Sequence, residues 1–217
     1  MIPLVDSLLA LVFLTVLFSL NCHRLLGLIR IMAIQGIIVS LIPFLLEKPE
    51  GTLLVNVGVL LVIVIVKGLI IPGMLLFAIR KVQIRKEVEP IISYNASIFI
   101  GLLVIYVSVL ISGRMHLTAL SSYPLLLPAA FTALAAGLFL LMARRKAITQ
   151  IIGYLMMENG IYLAGAVLAK HARTQHIVEF GILLDLLVGV MIMGIILHRI
   201  NHSYDDADTT FLEQLKD

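Results

Sequence analysis

The stretch "LLVNVGVLLVIVIVKGLIIPGMLLFAI", residues 53–79, is apolar throughout except for Asn56 and a single charged side chain, Lys67. A transmembrane helix needs about 20 mostly apolar residues, because the hydrocarbon core is about 30 Å thick and a helix rises about 1.5 Å per residue. Strands of a membrane barrel are about 10 residues long and alternate strictly between apolar and polar. The stretch therefore predicts a membrane-spanning helix.

Six more runs of this kind occur in the rest of the chain. The chain as a whole is 61% hydrophobic and 13% charged. The mean hydropathy is +1.10, which indicates an integral membrane protein rather than a soluble domain. Because backbone groups in lipid must bond to each other, we expect an all-α, polytopic membrane helix bundle of about seven transmembrane helices. The first run lacks a basic leader and a cleavage site, so we expect it to stay as a helix. The predicted spans are residues 3–21, 25–46, 53–79, 91–112, 124–143, 147–169 and 177–198.

The basic residues between the spans predict the orientation. Ten of them fall on one side and four on the other, and the basic side is normally cytoplasmic. The N-terminus is therefore expected outside and the C-terminus in the cytoplasm, and the net charge of +3 reflects topology rather than nucleic-acid binding. The cytoplasmic set is Arg24, Arg80, Lys81, Arg85, Lys86, Arg144, Arg145, Lys146, Arg199 and Lys216, and the outer set is Lys48, Arg114, Lys170 and Arg173.

The residue types that hold redox centres are scarce. Cys22 is the single cysteine, and the six histidines lie at or beyond the ends of the predicted spans. This excludes an internal disulfide and an iron–sulfur cluster held by this chain alone. There is no phosphate-binding loop, no HExxH motif and no nucleophile elbow. We expect no metal site and no catalytic site in the chain, so any redox centre would belong to another chain.

A weak internal repeat suggests the organisation of the bundle. "MAIQGI" (32–37) in the second span resembles "MMENGI" (156–161) in the sixth. Two three-helix units separated by one helix would have the same orientation, which makes the repeat parallel. The predicted division is residues 1–112 for the first four helices, 113–200 for the last three, and 201–217 for a cytoplasmic tail.

Three charged residues lie close to the middle of predicted spans, namely Lys67, Glu158 and Asp185. Glu158 lies ~16 Å into the sixth span by helical rise, which is close to the midplane. A charge at that depth costs at least ~2.5–3.5 kcal/mol. One interpretation is a proton path, in which titratable groups exchange protons through buried water. The alternative is a buried lysine–carboxylate pair that fixes helix packing.

The neighbours of these charges favour polar surroundings. Pro72 cannot donate to the carbonyl of Gly68, which predicts a kink beside Lys67 and space for water. Gly181 and Gly189 flank Asp185 at four residues on either side and allow close approach. A stripe of small residues on the fifth span predicts a packing face instead. Its members are Ala129, Ala133, Ala136 and Gly137.

Secondary candidates surround the main ones. Tyr154 and Tyr162 lie four residues before and after Glu158, on its face, where they either bond to it or simply pack. Asn159 is adjacent to Glu158. Arg30, with His23 on the same face, either extends to the membrane surface or marks an entrance for protons.

The stretches "RRKAITQIIGYLMMENGIYL" (144–163) and "ILLDLLVGVMIMGIILHRI" (182–200) resemble the membrane subunit called hydrogenase-4 component E, as does Lys67 with "LIIPG". That family belongs to complex I-like, group 4 nickel–iron hydrogenases. The C-terminal part is also similar to the K-type subunit of complex I and the C-type subunit of Mrp antiporters, in which two helices each carry a membrane carboxylate. Glu158 and Asp185 match those roles. The first acid lies three residues beyond the family position, here Leu155, and the second is an aspartate.

The resemblance implies a membrane-arm subunit that contributes to proton translocation in the cytoplasmic membrane of a prokaryote. It implies antiporter-like and complex I-like membrane partners and a peripheral hydrogenase arm on the cytoplasmic side, with the nickel–iron site and iron–sulfur clusters on those partners and no cofactor on this chain. Two alternatives stay open: a subunit of a cation/proton antiporter, and an assembly scaffold whose charges only lock helices together.

Overall fold

The computed structural model describes residues 2–46, 53–81, 92–115, 123–168 and 188–194, and every regular element in these ranges is a helix. The confirmed fold class is therefore all-α. A helical stretch at 188–194 is the described part of the seventh predicted span. The helices are α1 (Ile2–Asn21), α2 (Leu25–Leu46), α3 (Leu53–Ile65), a π-helical segment (Val66–Ile70), α4 (Ile71–Lys81), α5 (Tyr94–Arg114), α6 (Leu126–Ala143) and α7 (Ala147–Leu168).

Within the described ranges, five helical segments are long and apolar enough to cross a membrane by length and composition. They agree closely with the first five predicted spans. In α7, the sixth predicted span, Gln150, Glu158 and Asn159 interrupt the apolar sequence. The total of seven spans, the orientation, the parallel repeat and the three-part division stay predictions. The tail at 201–217 lies outside the described residues. The five segments are Pro3–Asn21, Leu25–Leu46, Val57–Arg80, Asn95–Arg114 and Leu126–Ala143.

A π-helical segment joins α3 to α4 just before Pro72. The Ile71 N–H donates to the Val66 carbonyl, five residues back. Proline provides no N–H and its ring crowds the preceding turn, so a wider turn at this point relieves the crowding. The disruption predicted next to Lys67 is thus a π-helical turn, and Lys67 is its second residue.

Helices α6 and α7 pack more closely than a side chain would allow. A methyl group added to Gly160 would lie 2.4 Å from the Leu134 amide nitrogen, and one added to Gly137 would lie 2.4 Å from the Met157 amide nitrogen. The two backbones therefore meet through glycine. The small-residue packing face predicted on the fifth span, which is α6, is confirmed, since Ala129, Ala133 and Ala136 are also buried.

Two apolar clusters occupy opposite ends of the bundle. The first apolar cluster combines the end of α1, the start of α2, α4, the end of α6 and the start of α7. The second apolar cluster combines the start of α1, the end of α2, the start of α6 and the end of α7. By contrast, α5 exposes large side chains such as Phe99 and Tyr106, as a lipid-facing helix does.

Candidate functional site

The centre of the site is an ion pair between Lys67 and Glu158. The Lys67 Nζ donates to Glu158 Oε1. Lys67 is 7% exposed and Glu158 is 1% exposed, so both charges are removed from solvent within the bundle. A buried charge is tolerated at low cost only when a partner of opposite charge and hydrogen bonds compensate it. Each residue of the pair therefore supplies the opposite charge that makes burial of the other possible.

Two further side chains of α7 also surround the ammonium group. The Lys67 Nζ donates to Asn159 Oδ1 at 3.2 Å, and it lies 5.4 Å from the centre of the Tyr162 ring. The ring face carries partial negative charge and attracts a cation at this distance. Asn159 is fully buried and Tyr162 is 7% exposed. We call Glu158, Asn159 and Tyr162 the ammonium cage.

Local backbone structure positions Lys67 toward the cage. Lys67 lies fourteen residues after the start of α3 and fourteen before the end of α4. A methyl group added to Gly36 of α2 would lie 3.2 Å from the Lys67 Cβ. The absence of a side chain at Gly36 thus lets α2 approach the π-helical segment and supports the stem of Lys67.

A polar layer separates the two apolar clusters at the height of this pair. On α2 it falls between Met32 of the first cluster and Ile38 of the second, and on α7 between Met156 and Tyr162. Gln35 and Glu158 each lie within one residue of the midpoint of their helix. The layer consists of Thr15, Gln35, Lys67, Thr132, Glu158 and Asn159, all buried.

Several amide and hydroxyl atoms of this layer lack a hydrogen-bond partner among the described residues. Among the described residues, Gln35 Oε1, Gln35 Nε2, Asn159 Nδ2 and Thr132 Oγ1 are buried without a hydrogen-bond partner. A small cavity beside the cage is lined by Lys67, Asn159, Pro72 and Leu155, with Ile29, Met32, Ile71 and Leu75. Buried polar groups next to a cavity commonly bind ordered water.

The structure brings together four of the residues singled out from the sequence, Lys67, Glu158, Asn159 and Tyr162. Tyr154 is half-buried and packs against the first apolar cluster. Arg30 and His23 are exposed near the start of α2, away from the buried pair. Asp185 lies outside the described residues, so its place in a proton path stays a prediction.

Two buried residues were missed by the sequence analysis. Gln35 was seen only as part of the repeat motif, although a buried glutamine at the middle of an apolar helix is itself a signal. Arg144 was counted as a cytoplasmic charge, yet it is only 1% exposed. Its Nη2 donates to the Leu20 carbonyl at the end of α1, at 2.9 Å, and its own carbonyl accepts from Gln150 Nε2 at 3.1 Å. A cation at a helix C-terminus is favourable.

Transfer of a proton within the Lys67–Glu158 pair leaves the net charge of the pair unchanged. A proton shared between Lys67 and Glu158 can reside on either partner, and the pair is neutral in both cases. A proton arriving from outside would neutralise the carboxylate and release the ammonium from its strongest contact. In the described part of the chain, no three His, Cys, Asp or Glu side chains come together as metal ligands.

Comparison with known proteins finds partial similarity to a hydrogenase subunit. Hydrogenase-4 component E of Escherichia coli is 35% identical over 80 residues, which cover 37% of this chain and 36% of that protein. The same values hold for hydrogenase-4 component E of Shigella flexneri. The alignment thus spans about a third of these relatives.

A longer alignment joins the chain to an uncharacterised protein of Mycobacterium tuberculosis. It is 28% identical over 204 residues, which cover 88% of this chain and 86% of that protein. No protein-family model matches the chain. No solved structure matches it either.

Helices of membrane-spanning length and the partial similarity to hydrogenase-4 component E suggest a membrane protein of the hydrogenase-related class. Within that class, the similarity suggests a membrane subunit of a multisubunit, hydrogenase-like complex.

Proposed function

We propose that this chain is a membrane-arm subunit of a complex I-like, group 4 nickel–iron hydrogenase-type oxidoreductase, and that Lys67 and Glu158 belong to its proton path. The observation that carries the proposal is the buried Lys67–Glu158 pair in the middle of the bundle. Titratable groups buried at membrane depth are costly and serve mainly in proton or ion movement.

The remaining parts of the proposal follow from the same class of complex. We propose that the chain contributes no redox centre and that the nickel–iron site and the iron–sulfur clusters belong to a peripheral arm on the cytoplasmic side. Antiporter-like and complex I-like membrane subunits would be its neighbours in the cytoplasmic membrane of a prokaryote. Asp185 would continue the path from Glu158.

The site itself supports a role in coupling. The pair has two forms, the ion pair and the neutral pair in which Lys67 has passed a proton to Glu158. A change of electrostatic potential near one residue of the pair alters the balance between these forms, because interactions between charges are strong at low dielectric. The unpartnered Asn159 amide nitrogen and the cavity that Asn159 lines, together with the unpartnered amide atoms of Gln35, provide places where water would extend the path.

The first test is purification of the tagged chain from its native membrane in mild detergent, with mass spectrometry of every co-purifying chain. We expect a nickel–iron hydrogenase-type large subunit, an iron–sulfur chain and antiporter-like subunits. Recovery of antiporter-type subunits alone, or of no partner, would discard the hydrogenase proposal.

The second test measures coupling in inverted membrane vesicles. Dithionite-reduced methyl viologen supplies electrons, hydrogen evolution is followed with an electrode, and proton uptake with an acridine dye. We expect Glu158→Gln to lower dye quenching per hydrogen evolved at least several-fold while the complex stays assembled. Asp6→Asn is the matched control, because it removes a carboxylate near the start of α1, remote from the middle of the bundle.

Unchanged quenching in an assembled Glu158→Gln complex would remove Glu158 from the proton path and leave the scaffold role. If that variant does not assemble, the double variant Lys67→Gln with Glu158→Gln removes both charges together and is measured in the same way.

A further inference from the structure

The ammonium cage contains the features of a cation-binding site in its own right. The Lys67 Nζ contacts a carboxylate oxygen of Glu158, an amide oxygen of Asn159 at 3.2 Å and the face of the Tyr162 ring. All three groups belong to one helical turn of α7, and all are at least nine-tenths buried. The cage is therefore held by a rigid element and does not depend on the flexible stem of Lys67.

We propose that Glu158, Asn159 and Tyr162 form a binding site for a weakly hydrated monovalent cation, which the Lys67 ammonium occupies in this structure and which a free ammonium or potassium ion occupies when the Lys67 ammonium is absent from it. This deepens the proposed function, on whose site it rests, because it names a second ion class for the same groups.

The chemistry of the three groups favours this class of ion. Among the described residues, one carboxylate contacts the ammonium and balances its single positive charge, which favours a monovalent cation over a divalent one. Two oxygens and one ring face replace only part of a hydration shell, which favours ions that lose water readily, as ammonium and potassium do relative to sodium and lithium.

Lys67 reaches the cage from a different helical segment, so removal of its side chain leaves the three cage groups in place on α7. The small cavity lined by Lys67 and Asn159 reaches the cage from the side of α2 and α4. A cation entering there meets the Asn159 side chain before it reaches Glu158.

The experiment uses the full chain purified in detergent and its variant Lys67→Ala. This change removes three carbons and the ammonium nitrogen, so n-propylammonium matches the lost atoms and n-propanol is its neutral control. We measure melting temperatures in chloride salts of n-propylammonium, ammonium, potassium and lithium at equal ionic strength.

We expect ammonium, potassium and n-propylammonium to raise the melting temperature of Lys67→Ala by roughly 3–6 °C at 100 mM if the dissociation constant is about 10 mM. Lithium and n-propanol should give less than a third of that shift. The wild-type protein should show no such difference, because Lys67 fills the cage. The double variant Lys67→Ala with Glu158→Gln should lose the response.

Equal shifts for all salts, or the same shifts in the double variant, would overturn the proposal, and so would a response to n-propylammonium alone. If Lys67→Ala yields no folded protein, Lys67→Gln is measured in ammonium and potassium chloride, and no stabilisation overturns the proposal. These results concern binding only. A negative outcome leaves the proton role of Glu158 to the vesicle measurement, which can fail or succeed separately.

Discussion

Lys67 and Glu158 are 91 residues apart in the chain and form one buried ion pair. The first lies in a π-helical turn between α3 and α4, and the second at the middle of α7. The pair therefore connects two distant parts of the sequence at the level of the polar layer. Its stability depends on these contacts, and so would the proposed movement of protons through it.

Single removal of either charge should destabilise the protein more than removal of both. A lone charge left in a buried site costs roughly 3–5 kcal/mol, whereas two apolar residues of similar size can replace the pair at little cost. We expect Lys67→Met and Glu158→Leu each to lower the midpoint of denaturant unfolding. The double variant should recover at least half of the summed loss. Simple additivity of the two losses would show that the residues do not interact.

Gly36→Ala should disturb the position of Lys67. The added methyl would lie 3.2 Å from the Lys67 Cβ, a separation that requires one of the two chains to shift by a few tenths of an ångström. We expect a loss of roughly 1–3 kcal/mol from overpacking, measured by thermal unfolding. Gly73→Ala is the control, because Gly73 is exposed and has nothing within 4 Å of an added methyl. A loss of equal size in both variants would point to general helix effects instead.

Gly160→Ala should separate α6 from α7. Its methyl would meet the Leu134 amide nitrogen at 2.4 Å and the Ala130 carbonyl at 2.8 Å, and backbone cannot move aside as a side-chain end can. We expect poor recovery of folded protein, or a loss of at least about 3 kcal/mol, which is the upper range for overpacking. Gly113→Ala on α5 has open space around it and should behave like the wild type. Normal stability of Gly160→Ala would contradict this close packing.

Arg144→Gln should weaken the junction between α1 and the α6–α7 turn. The change removes the bond from Arg144 to the Leu20 carbonyl and the charge at that helix end, for which we expect a loss of about 1.5–3 kcal/mol. Thermal unfolding and limited proteolysis of the purified chain measure it. Arg145→Gln changes the adjacent but exposed arginine and should shift the midpoint by no more than about 0.5 kcal/mol. Equal effects of the two variants would mean that the buried contact contributes nothing.

The sequence was informative where composition and periodicity decide the outcome. The apolar runs predicted the five membrane-length helices of the described ranges to within four residues at each end, since a helix in lipid must be long, apolar and internally bonded. Pro72 predicted a disturbance at Lys67, because a proline ring and its missing N–H act locally. The proline alone does not distinguish a kink from a π-helical turn, because the outcome depends on how the neighbouring helices accommodate the extra residue.

The sequence by itself determined that Lys67 and Glu158 would lie near the middle of their helical segments, because each falls near the centre of a long apolar run. Only the tertiary structure decided that they meet, that Asn159 and Tyr162 complete the cage, and that Gly36 supports the lysine. Those contacts depend on which helices are neighbours and on how each is rotated. In an apolar bundle nearly every face is hydrophobic, so helical periodicity carries little information about rotation, and glycine contacts and buried charges fix it instead.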